Sequence, residues 1–165
     1  MGRLKGKSMK IRTGFVSNSS SSSFVVAFER IPASIKEMKF ILFGNNEQYE
    51  GRWSADKVAE IVWRDFCRQN NPMTYSQIVE AANGIVHIDY WNNKKYQNKN
   101  GNIDYDRVRK DEEKLCKEEI DRFISNNKGK YYYEFSYADE DGSLGSDMEH
   151  GDLFSNLSHV RISRH

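Results

Sequence analysis

A chain of 165 residues is long enough to bury one substantial core. With 38% hydrophobic and 30% charged residues its mean hydropathy is −0.81, yet 13% aromatic residues argue against a disordered chain, because each aromatic buries a large area. A net charge of +1 supplies no global field to recruit nucleic acid or membrane, and no apolar run approaches the roughly 20 residues of a membrane span.

The charge is uneven. Arg3, Lys5, Lys7, Lys10 and Arg12 make a basic leader, followed by no secretory apolar region, while residues 139–152 are acidic. Cys67 and Cys116 lie in helical patterns with no CxxC partner and no His at ligand spacing, so reduced thiols and a soluble, cytoplasmic protein are expected.

In chain order, residues 11–16 and 24–28 read as β-strands on either side of a serine run, FVSNSSSSSF. FVVAF has the continuous apolar character of a buried strand. IPASIKEMKFILFG predicts a helix, with Ser34 and Glu37 at capping-box spacing, Ile35, Met38, Ile41 and Leu42 on one face, and Gly44 as the stop. A second helix starts at Ser54, with Val58, Ile61, Val62 and Phe66 forming its stripe, and Pro72 ends it. Thr74 and Gln77 open a third, closed by Gly84.

IVHIDYW, residues 85–91, reads as a strand, and a polar loop follows. Residues 104–126 predict the longest helix, with Leu115, Cys116, Ile120, Phe123 and Ile124 at helical spacing. In 128–137 the period changes to two, placing Tyr131, Tyr133, Phe135 and Tyr137 on one strand face. ADEDGSLGSD reads as a turn-rich acidic loop and LFSNL as a short helix capped by Asp152. HVRISRH alternates, with Val160 and Ile162 inward and His159 and Arg161 outward. The resulting expectation is an α+β single domain over residues 9–165, its mixed or antiparallel sheet formed by N- and C-terminal strands and covered by several helices.

Two segments could carry chemistry. Asn18, Ser19, Ser20, Ser21 and Ser22 offer hydroxyls and N–H groups to an anionic ligand such as phosphate. The run lacks the glycines and lysine of a phosphate loop, and a connector whose serines bond their own backbone is the alternative. No local base marks any serine as a nucleophile.

The acidic tail is the second segment. Glu149, His150 and Asp152 are catalytic candidates, and His150, Asp152, His159 and His165 are metal-ligand candidates for a divalent ion that activates water. No established metalloenzyme spacing is present, so a solvated acidic loop is the competing reading. Tyr131, Tyr132, Tyr133, Tyr137, Tyr90 and Trp91 would form a base-stacking platform if they faced solvent. His87 reads as a sheet histidine.

KIRTGFVSNSSSSSFVVAF, IPASIKEMKFILFG and the tail EHGDLFSNLSHVRISRH resemble a set of small, mostly uncharacterised proteins of bacteria and their phages. That set shares an FV(S/T)NSSSSSF signature, and the likeness covers about half the chain. It implies a reading frame that starts at Met9, with residues 1–8 an upstream extension or expression remnant. It brings no activity, cofactor or catalytic residue. The expected function is binding, of a protein partner or a small anionic ligand, with no membrane. A metal-dependent phosphoester hydrolase is the first alternative and a nucleic-acid binder the second.

Overall fold

The computed structural model describes residues 21–83, 85–139 and 142–164. In order they form β1 (Ser21–Phe28), α1 (Ile35–Phe43), the short pair β2 (Gln48–Tyr49) and β3 (Trp53–Ser54), α2 (Ala55–Cys67), α3 (Tyr75–Ala81), a 3-10 turn at Lys94–Tyr96, α4 (Tyr105–Asn126), β4 (Tyr131–Ala138), α5 (Gly142–His150) and β5 (Ser158–Arg164).

β1 is the middle strand of an antiparallel sheet in the order β4-β1-β5. Phe24 stands opposite both Phe135 and Arg161, and Ser22 opposite Tyr137 and Ser163. The expected α+β architecture, with terminal strands joined in one sheet, is what the chain adopts. A central strand is buried on both faces, which is why FVVAF reads as an unbroken apolar run. Phe24, Val26 and Phe28 join Tyr133, Phe135 and Tyr137 in a core that includes Met38, Leu42, Val62, Phe66 and Met148 from α1, α2 and α5. Val25 and Ala27 turn the other way, packing with Tyr132, Ile162, and Ile78, Ile120 and Phe123 of α3 and α4.

Local capping follows the sequence closely. The side chains of Ser34, Ser54, Thr74 and Asp104 each accept a backbone N–H at a helix N-terminus. The Thr74–Gln77 box is reciprocal, whereas Glu37 reaches back to the N–H of Ala33 rather than of Ser34. Gly44 ends α1 at φ 59°, a conformation that favours glycine. Ile35 and Leu115, expected on inner helix faces, are exposed. Cys67 and Cys116 are both free thiols, the first exposed and the second buried.

Five expectations are corrected. The serine run is not a connector throughout, because Ser21, Ser22 and Ser23 are the first residues of β1. Residues 85–91 are not a strand: the N–H of Ile88 bonds the Glu112 carboxylate at 2.9 Å, so a helix side chain replaces a ladder partner. Nor does β4 have an outer edge to offer them there. The Gln69 amide pairs with both the N–H and C=O of Glu134, at 3.0 and 2.8 Å, and the N–H of Met73 takes the carbonyl of Tyr132.

The acidic loop is instead helix α5 from Gly142 onward, because Leu144 and Met148, four residues apart, have a core to cover. LFSNL forms turns rather than a helix, and Leu153 and Phe154 plug the core from them. Tyr131 is exposed, but Tyr132 packs in one core and Tyr133 and Tyr137 in the other, so the tyrosines of β4 form no surface platform. The strand expected over 11–16, the basic leader, residues 1–8 and Gly84 lie outside the described residues.

Candidate metal centre

Where α5 ends, three potential ligands converge. Asp139 directly follows β4, and Glu149 and His150 are the last two residues of α5. His150 Nε2 lies 3.3 Å from Asp139 Oδ1 and 3.5 Å from Glu149 Oε2. One ligand atom from each residue falls within 4.8 Å of the others. The cluster is graded from inside to outside: the Glu149 side chain is 1% exposed, Asp139 38% and His150 54%.

β1 and β5 hold the buried side. Ser22 Oγ donates to Glu149 Oε1 at 3.3 Å and accepts from Arg161 Nε at the same distance. The Arg161 guanidinium lies over the Phe24 ring, 5.5 Å from its centroid, and also donates to the main-chain carbonyl of Glu149. Strand register produces this arrangement, since it sets Arg161 beside Phe24, two residues from Ser22.

Arg161 thus addresses the serine and the carbonyl, not the carboxylate. Among the described residues, Glu149 Oε2 has no hydrogen-bond partner. Burying a carboxylate is expensive unless a counter-charge and donors meet it. A half-exposed imidazole at 3.5 Å is beyond good hydrogen-bond geometry. A divalent cation between the three groups would satisfy Oε2, and two carboxylate oxygens with one imidazole nitrogen are a donor set that such ions accept.

Of the residues singled out from sequence, Glu149, His150 and Ser22 meet at this centre, and Ser21 stands at the start of β1 beside it. Asp152 does not join them: it is exposed, and its N–H takes Glu50 Oε1 at 3.4 Å. His159 is also elsewhere, its Nδ1 2.9 Å from the carbonyl of Leu157 and its ring against Phe24 and Phe154. Alternation placed His159 and Arg161 outward, but could not say that only Arg161 reaches Ser22. Asn18, Ser19, Ser20 and His165 lie outside the described residues.

Asp139 is the potential ligand that spacing did not reveal, since nothing local separates it from Glu140 or Asp141 in the sequence. Asp147, equally acidic, is committed elsewhere. Trp53 Nε1 donates to it at 2.5 Å and the Arg52 guanidinium at 2.6 and 2.8 Å, holding its carboxyl below the usual range. Gly151 in EHGD is not a flexible spacer either. A Cβ there would lie 2.5 Å from the carbonyl of Asp147 and 2.4 Å from the Tyr49 hydroxyl.

Comparison with family models, curated proteins and solved structures returned no match for this chain. Among the described residues no helix is long and apolar enough to cross a membrane. Fold and site together define an α+β protein with a carboxylate–imidazole cluster at the end of its sheet.

Proposed function

We propose that the protein is a cytoplasmic binding module that takes a divalent cation through Asp139, Glu149 and His150, and acts through the species bound there. The observation that carries this reading is the buried Glu149 Oε2, which lacks a hydrogen-bond donor while facing an imidazole and a second carboxylate. The test uses protein stripped with chelator and then titrated with Zn²⁺, Mn²⁺ or Mg²⁺. One ion per chain is expected. At a hundredfold excess over Kd the stabilisation is about 2.7 kcal/mol, or roughly 5–10 °C in Tm. A melting temperature indifferent to all three ions sinks the reading.

The second reading, metal-dependent hydrolysis of a phosphate ester, is favoured by the exposure of His150 and Asp139. Three protein ligands with one side open to solvent leave coordination positions for water, as hydrolytic centres require. Its test is release of nitrophenol from bis(p-nitrophenyl) phosphate, which must vanish in chelator and in Glu149→Gln. Base stacking is unsupported, because Tyr132, Tyr133 and Tyr137 are core residues.

A further inference from the structure

A second feature lies along α2, β4 and α5. A cavity of about 400 Å³ is lined by residues that include Arg64, Asp65, Arg68, Tyr137, Leu144 and Met148. Cavities of this size hold small organic molecules. The Tyr137 side chain is 5% exposed, and among the described residues its hydroxyl has no hydrogen-bond partner. A phenol is protonated at neutral pH, so this hydroxyl is an O–H donor. A buried donor with no acceptor is uncommon in a native fold and calls for a bound acceptor.

The charges around it point to the kind of acceptor. Arg64 in the last turn of α2 and Arg68, the residue that caps its C-terminus, both approach Asp65, at 3.8 and 3.4 Å. Among the described residues, two guanidiniums against one carboxylate leave one net positive charge. Both arginine side chains are more than half exposed, so most of their N–H groups remain available. Leu144 and Met148 supply an apolar wall.

We propose that this cavity binds a small organic carboxylate, its oxyanion held by Arg64, Arg68 and the Tyr137 hydroxyl and its apolar body resting on Leu144 and Met148. A monoanion matches the single net charge, and the apolar wall favours a hydrocarbon-bearing acid over inorganic phosphate. The site shares β4 and α5 with the metal centre, Tyr137 standing two residues before Asp139 and Met148 next to Glu149. It needs no cation, so the two readings can fail separately.

The experiment is titration with hexanoate, hexanamide and inorganic phosphate, followed by amide chemical shifts in the full chain with chelator present throughout. Hexanoate should bind in the millimolar range and shift residues of α2, β4 and α5, while the neutral amide binds at least about tenfold more weakly. Tyr137→Phe keeps the ring and the packing, so it folds, and should weaken hexanoate about fivefold. Arg64→Gln and Arg68→Gln, both at exposed positions, should each weaken it about tenfold. Equal binding of acid and amide, hexanoate binding unchanged in all three variants, phosphate binding with hexanoate silent, or no binding at all would each overturn the proposal.

Discussion

Ser22 and Glu149, 127 positions apart in the chain, meet through a buried 3.3 Å hydrogen bond in which the serine hydroxyl donates to Glu149 Oε1. Ser22 → Ala would leave that oxygen with no donor and deprive Arg161 Nε of its acceptor. Stability should fall by about 1–3 kcal/mol in urea denaturation, with little change in m. A loss below a few tenths would mean that water replaces the hydroxyl at no cost.

Glu149 → Gln separates a structural role for the carboxylate from a role as ligand. It keeps the shape of the side chain and removes a buried charge. In chelator, the variant should therefore be as stable as the parent or more so. With a saturating divalent ion the order should reverse, because the parent gains stability and the variant does not. An undiminished ion response in the variant removes Glu149 from the ligand set.

Gly151 → Ala tests close packing in the EHGD segment. The added methyl would meet the backbone carbonyl of Asp147, which cannot rotate away like a side chain. A destabilisation of about 1–3 kcal/mol is expected, or roughly 3–10 °C in Tm. An unchanged thermal melt would show that the turn after α5 relaxes freely.

The pH response should expose Asp147. Hydrogen bonds from Trp53 and Arg52 lower its carboxyl in the folded state, so its contribution is fully present above the unfolded value of about 4. That contribution is lost as pH falls through the lower folded value. Thermal melts of the parent and Asp147 → Asn should differ most above about pH 4 and converge in more acidic solution. Parallel curves across this range would contradict the assignment.

Gln69 guards the edge of β4 by bonding both main-chain groups of Glu134. Gln69 → Ala should bare that edge, lower stability by about 1–2 kcal/mol and increase concentration-dependent association. Light scattering after mild heating is the readout. Identical scattering from parent and variant at matched concentration would assign the edge protection to Met73 alone.

Much of the secondary structure was legible locally. Ser34, Ser54, Thr74 and Asp104 cap the helices they precede, because a short polar side chain satisfies N–H groups within its own turn. FVVAF and the β4 tyrosines were readable as strands for a similar reason, since burial and period act over neighbouring residues. Readings failed where the decision was not local. IVHIDYW has strand character but found a Glu112 side chain where a strand partner was needed, and ADEDGSLGSD became helical only because a core lay beneath Leu144 and Met148.

The candidate centre divides along the same line. Residue types alone marked the tail as rich in carboxylates and imidazoles, and the apolar flanks placed the serine run against the fold. Which carboxylate reaches His150 depends on where β4 ends and on how α5 crosses it. Asp139 rather than Asp152 is therefore the partner, and His159 turns to Phe154 instead. Strand register then brings Ser22 and Arg161 to Glu149. Capping, period and burial are short-range terms written into neighbouring residues. The meeting of Ser22 with Glu149 is long-range, and only the packed sheet and helix decide it.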